Sequence, residues 1–236
     1  RKRDFPRSRA VTGVRRRGRP VASADGDLRE RLLDAATALF AEQGVAATPM
    51  AQIAAQAGVT SAMIHYYFKT RERLLDVIVE ERFGRFIAAV SEGIDGAGGD
   101  PVAMVRDLVA RIIGLVAEMP WLPALWIKEI ASDGGQLRER LIRRLPQDVH
   151  KRFGACVAAG QARGEVNPGL HPSLLFVSIM GLTMFPLAVS KIWKQFPTLK
   201  ALDRQGLADH AVSLLMCGMV GPGTKKGRLR RRDAAK

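Results

Sequence analysis

Hydroxyl, amide, imidazole and guanidinium groups recur through one stretch, Thr48–Arg71, which reads TPMAQIAAQAGVTSAMIHYYFKTR. Thr48, Thr60, Ser61 and Tyr67 bring hydroxyls, Gln52 an amide, and Arg71 a charged fork that suits phosphate oxygens. Carried into a DNA groove by a helix, donors to phosphate fix register, while contacts to base edges read sequence. The local pattern predicts such helices. Thr48 is expected to be the N-cap of a short helix with Pro49 at its first position. Ile53, Ala54 and Ala57 form its apolar face, and Gly58 can adopt the left-handed conformation that ends it. Val59 plugs the turn. Thr60 caps a second helix, through Ala62, Met63 and Ile64 to His65-Tyr66-Tyr67-Phe68, and Thr70 caps a third from Arg71. Small alanines allow the close crossing that a helix-turn-helix requires.

The elements around this stretch must position it. With 236 residues the chain can hold one large domain or two small ones, and 47% hydrophobic content supports a real core. No segment alternates like a strand, so the expected class is all-α. A first helix is predicted over Asp27–Gln43, with Asp27 and Glu30 as a capping box and Gly44 as its end. A long helix follows over Arg71–Gly93, and Asp95–Asp100 is a flexible break. Further helices are expected over Pro101–Met119, Trp121–Ala131, Gln136–Arg163 (bent at Pro146), Pro172–Ser190 and Leu202–Val220. Arg138, Arg140, Arg143 and Arg144 read as a solvated face. The apolar core Leu174–Val189 is too short for an ordinary membrane span, which needs about 20 residues, and reads as a buried helix.

Charge is uneven. Residues 1–20 hold nine Lys/Arg and one acid, residues 225–236 hold seven and one, and these two arms account for the whole net charge of +14. Such arms attract phosphate through counterion release. Residues 1–24 lack apolar periodicity and are expected to be disordered when free. Within them Arg15–Pro20 resembles an AT-hook core, with Arg17 and Arg19 flanking Gly18 and suited to a narrow minor groove. Cys156 and Cys217 stand apart without a CxxC or Cys/His cluster. No metal site, cofactor or disulfide framework is expected, and a reducing cytoplasm fits. No apolar segment follows the basic start, so no signal peptide is expected.

Residues 28–75 are similar to the DNA-binding signature of the tetracycline-repressor (TetR) family of transcription regulators. The likeness rests on the Ile-Ala-x-x-Ala-Gly-Val-Thr core at Ile53–Thr60 and the Tyr-x-Phe exit, with a second trace at Ala162-Arg163-Gly164-Glu165-Val166. The resemblance implies a three-helix DNA-binding domain over 25–75, a helical ligand-binding and dimerisation domain over 76–220 and a basic tail over 221–236. It puts Ser61, Ala62 and Met63 at the groove-facing start of the recognition helix. His65, Tyr67 and Arg71 would meet phosphate, and Thr48 would offer a phosphate its hydroxyl or the helix N-terminus. Two positions depart from the family: Ala51 stands where many members have a base-reading Arg, and His65 where Tyr is usual. Direct readout by this helix is therefore thin, and Gln52 or the N-terminal arm is expected to supply more of the specificity.

The resemblance also implies a homodimer through 172–190 and 202–220 on a double-stranded operator, and a small-molecule effector that lowers DNA affinity. The expected pocket walls are Met104, Leu108, Ile112, Trp121, Trp126, Ile130, Phe153, Phe176, Met180 and Met184, with Glu129, His150 and Cys156 as polar anchors. Met and aromatic side chains make adaptable apolar pockets, though they fill ordinary cores as readily. The ligand would be apolar or amphipathic. No phosphate loop, nucleophile elbow or HExxH points to an enzyme. A membrane-surface protein would leave the helix-turn-helix unexplained. An architectural DNA binder working through its basic tails is the alternative.

Overall fold

The computed structural model describes residues 21–146 and 148–220. Arg17, Arg19 and both basic arms lie outside the described residues. Among the described residues every regular element is helical.

The head is built from α1 (Val21–Gln43), α2 (Met50–Gln56) and α3 (Ser61–Phe68). Leu32, Leu33, Ala36, Phe40, Ile53, Ile64 and Phe68 meet at its centre, each at most 1% exposed. Because α1 begins at Val21, Asp27 lies within the helix and the expected capping box does not form there. Glu30 instead pairs with Arg82 at 3.0 Å. Gly44 at φ 86° closes α1 as expected.

The long helix expected from Arg71 is three pieces in line. They are α4 (Arg71–Val77), a π-helical segment π1 (Ile78–Arg82) and α5 (Phe83–Asp95). The apolar spacing is regular on either side of π1, and a wide turn confined to five residues leaves too short a mark in the sequence for periodicity to find. Thr70 caps α4 by accepting the Arg73 N–H at 3.1 Å.

The body is organised around α6 (Pro101–Glu118). Asp100 caps it, accepting the N–H groups of Val102 at 2.8 Å and Ala103 at 3.1 Å. Met104, Val105, Leu108, Val109 and Ile112 are then fully buried along one side. The expected helix over 121–131 splits into α7 (Leu122–Leu125), packed on α1, and a second π-helical segment, π2 (Trp126–Ala131). The expected Gln136–Arg163 helix is not one bent rod. Pro146 lies between α8 (Arg138–Arg144) and α9 (Val149–Ala162), since proline cannot supply the N–H that a continuous helix needs. Then come α10 (Pro172–Ala188), α11 (Ser190–Trp193) and α12 (Arg204–Met219). Among the described residues no single helix is long and apolar enough to cross a membrane.

Head and body share one continuous apolar core from Leu32 to Met219. Ion pairs rim the junction. Arg29 donates to Glu81 at 2.8 Å, and Arg82 reaches Asp34 at 2.7 Å. The arginines of α8, expected to be only a solvated face, also take part: Arg140 meets Asp76 at 3.1 Å and Arg144 meets Glu80 at 3.2 Å.

The hydrogen bond from Arg29 holds the Glu81 carboxyl below the usual carboxylate range, against a smaller opposing effect of burial. With both side chains a third exposed, the pair is worth under about 1 kcal/mol. A lowered carboxylate pKa stabilises the fold above the unfolded value, about 4.3, and the gain disappears as pH falls through the folded value. Glu81→Gln should therefore melt lower than the parent at pH 7, and the gap should shrink as pH falls below the unfolded value in thermal melts.

Candidate DNA-recognition site

The eight residues of α3 sort themselves by burial. Ile64 and Phe68 are sunk in the core, while Ser61, Ala62, His65 and Tyr66 face solvent. Met63 and Tyr67 lie between these faces. Tyr67, three residues after Ile64, is on the flank of the buried side and packs against the core, its ring 5.3 Å from that of Tyr66. The more exposed tyrosine is Tyr66, at 62%. The helical period already placed residue 66 beside 65 and 62 on the outer face, a signal that the family pattern of Tyr67 overshadowed.

Thr60 holds the N-cap position of α3 in extended backbone, but its side chain makes no capping bond. It is exposed, at the positive end of the helix dipole. At the other end Lys69 takes φ 60°, ψ −62°, and Thr70 N–H closes a three-residue γ-turn on Phe68 O at 2.6 Å. That geometry is strained for a residue with a Cβ. It projects Lys69 beside the recognition helix, with its Nζ 5.5 Å from the Tyr66 ring centroid. His65 Nδ1 lies 3.3 Å from Lys69 O. Neither Tyr66 nor Lys69 was among the expected contacts.

The turn before α3 behaves as expected. Gly58 takes φ 71°, and Arg31 donates to Ala57 O, closing the end of α2. Gln52 is half-buried on α2, where its Oε1 accepts from Gln43 Nε2 at 2.8 Å.

Two expectations need correction. Thr48 neither caps α2 nor offers its hydroxyl outward: Pro49 is the N-cap residue, and Thr48 is fully buried. Its hydroxyl donates to Gly44 O at 2.7 Å and accepts from Gln43 Nε2 at 3.0 Å. Arg71 does not stand free for phosphate either. Its guanidinium donates to Thr48 O at 2.6 Å and to Val45 O, so the fork grips the turn between α1 and α2. A buried turn has main-chain carbonyls to satisfy, and a charged donor within reach satisfies two of them.

On the ligand side, Met104, Leu108, Ile112 and Phe153 are fully buried, and Met180 and Met184 nearly so. Trp121 packs edge-on to Phe83 at 5.8 Å, Trp126 tilts onto Phe86 at 5.4 Å, and Phe176 lies between His150 and Phe153. Ile130 is partly buried against the same core. These ten residues fill the core. A cavity of about 150 Å³ lies elsewhere, where the ends of α6 and α10 meet the start of α12, and none of the ten lines it. Its floor includes Val116, Pro123 and Leu207, and its rim Ser190, Lys194 and Arg204. Of the polar anchors, His150 is exposed, Cys156 is half-buried with its thiol pushed up by burial, and Glu129 is buried with both oxygens bonded.

Residues 32–78 match the family described as bacterial regulatory proteins, tetR family, and residues 101–216 match the tetracyclin repressor-like C-terminal domain. The chain belongs to the tetR family. It is a DNA-binding transcriptional regulator, and the architectural alternative falls away because the helical body matches the family as well as the head does. The chain is 26% identical over 148 residues to the transcriptional repressor DhaR of Mycobacterium sp. strain GP1, covering 63% of this chain and 74% of that one. It is 27% identical over 153 residues to the fatty acid metabolism regulator protein of Bacillus subtilis, covering 64% and 77%. In fold it resembles the regulator FadR of B. subtilis in complex with stearoyl-CoA, with TM-score 0.60, 23% identity and coverage of 80% and 98%. The ketosteroid regulator KstR2 of Mycobacterium tuberculosis superposes with TM-score 0.66 at 20% identity, over 85% and 97%.

Arg71 has a structural role that can be measured without DNA. Arg71→Ala should cost the free protein about 1–3 kcal/mol in urea unfolding, because two carbonyls of a part-buried turn lose a charged donor. A side chain that met only phosphate would leave DNA-free stability unchanged.

Proposed function

We propose that the protein is a homodimeric repressor that occupies a palindromic operator and leaves it when an apolar or amphipathic ligand enters the body. The observation that carries the DNA half is the outer face of α3, where Thr60, Ser61, Ala62, His65, Tyr66 and Lys69 are all exposed. Ser61 and His65 bond to bases or phosphate there, Ala62 and Met63 offer apolar contact to thymine methyls, and Tyr66 and Lys69 meet the backbone. Tyr67 and Gln52 border this face. The basic arms, with Arg17 and Arg19, add a sequence-independent attraction to phosphate. The cytoplasm, where DNA and reduced cysteines coexist, is the compartment for this activity.

The dimer reading rests on exposed apolar side chains. Leu174, Val177 and Phe185 stand 60%, 61% and 56% exposed on α10, and Leu214 is 50% exposed on the neighbouring α12. Leu174, Val177, Ser178, Gly181 and Phe185 follow one helical stripe. The helix is therefore not buried all round, as its composition suggested. Pairing of two such stripes across a two-fold axis covers them and sets two recognition helices about one turn of DNA apart.

For the ligand, the B. subtilis relative is by name a regulator of fatty acid metabolism, and the FadR structure holds stearoyl-CoA. An acyl thioester is the first probe of an amphipathic site. The test is selection of bound duplexes from a random pool, followed by footprinting with and without stearoyl-CoA and shorter acyl-CoA thioesters. A short palindrome with half-sites about 10 base pairs apart, released by one of these thioesters, is the expected result. Unselective protection that spreads with protein concentration would refute the operator reading. Release by none of them would refute the acyl thioester. Val177→Glu should shift the protein to monomer in sedimentation and weaken operator binding by at least about a hundredfold, since a lone head loses its second half-site.

A further inference from the structure

Val45 lies in the turn between α1 and α2 and is fully buried. Its peptide is gripped from both sides. The N–H donates to Glu129 Oε1 at 2.7 Å, and the C=O accepts from the Arg71 guanidinium. Glu129 belongs to the body, on π2, and is 5% exposed. Its second oxygen accepts the Gln136 N–H at 2.8 Å, from the loop that follows π2. Lys128, the preceding residue, donates to Glu42 O at the end of α1. Gly135 lies flush against the same segment, where an added Cβ would stand 2.2 Å from Glu129 O.

We propose that Glu129 is a positioning residue: it latches the body's π2 segment to the head through the Val45 peptide and so sets the pose of α2 and α3 on DNA. A charge-assisted bond to a buried N–H is stronger than a neutral one, and losing it leaves that donor without a partner. The segment that carries it has a second state within reach. Converting a π turn to α-helix removes one residue from the turn, and each residue turns the helix by about 100°. Such a change in π2 carries the Glu129 carboxylate off Val45 and frees the turn. Arg71 then holds the turn from the head's side alone. The latch thus offers the body one buried bond by which to govern the head, whichever ligand acts on it.

The proposal rests on the DNA-binding reading, and amide exchange tests the latch without DNA. In the parent protein the Val45 amide should exchange at least about a hundredfold more slowly than that of the neighbouring exposed Ala46. Equal rates overturn the latch, and this measurement stands even where a variant fails to fold. Glu129→Gln, which keeps one carbonyl acceptor but turns an amide N–H₂ toward the other donor, should speed Val45 exchange about tenfold while Ile64 and Phe68 stay protected. Operator affinity of the folded variant should fall about tenfold, because a loosened head must be ordered on binding. The loss should be less than additive with that of Arg71→Lys, which acts on the same peptide. Faster exchange with unchanged affinity marks a merely structural tie and overturns the positioning role, as does a variant within twofold of the parent in both readouts.

Discussion

A helix of eight residues does not hold its shape alone in water, and α3 is eight residues long. Its geometry is borrowed. Ile64 and Phe68 hold it to the core from within, the γ-turn at Lys69 fixes its end, and the turn around Gly58 and Val59 fixes its start. Seven-residue α2 is in the same position. The pose of the reading face is therefore set by α1, by α4 and by the short turn between α1 and α2. Thr48 and Arg71 serve that turn. Both carry groups that look outward-facing in a list of residue types, yet each is spent on main-chain carbonyls.

That constraint explains how head and body relate. One apolar core runs through both, so the head is not a bead on a string. The ion pairs around the junction are partly exposed, and each contributes little. Strength at the junction comes from buried apolar contact and from the few buried polar bonds, of which the Glu129–Val45 bond is the most enclosed. Both π segments sit at this junction: Glu81 and Arg82 of π1 pair with α1, and Glu129 of π2 bonds the turn after it. A helix that carries an extra residue per turn is a place where small rearrangements are cheap, and here it adjoins the contact that matters to DNA.

What the sequence made legible was local. Gly44, Gly58 and Thr70 are read from single residues with strong backbone preferences, and all three act as expected. Most body helices were found because their apolar period is long and regular. Readings that depended on a partner were harder. An arginine fork is the same in sequence whether it meets phosphate or a carbonyl, so Arg71 was assigned by resemblance and landed elsewhere. Glu129 reads in sequence only as a polar anchor, because nothing in its neighbours reveals that a turn 84 residues away needs a partner for its N–H. Tyr66 and Tyr67 differ by one position, about 100° around the helix, which leaves Tyr66 on the outer face and Tyr67 on its flank.

The expected ligand walls raise a different point, which bears on mechanism. A Met or Phe stripe at helical spacing describes a filled core and an open pocket equally well. Here six of the ten expected side chains are buried in the core and the other four pack against it. Sites for drug-sized ligands enclose about 300–1,000 Å³, against about 150 Å³ in the cavity by α6, α10 and α12. In the proposed function, an amphipathic effector larger than this cavity enters by parting core side chains. Close-packed interiors do not yield by small uniform strain; they shift between discrete packings. Trp121 and Trp126, on either side of α7, would move with such a shift, and Trp126 is the first residue of π2. On that proposal, entry of ligand and movement of the segment that touches the head belong to one repacking event.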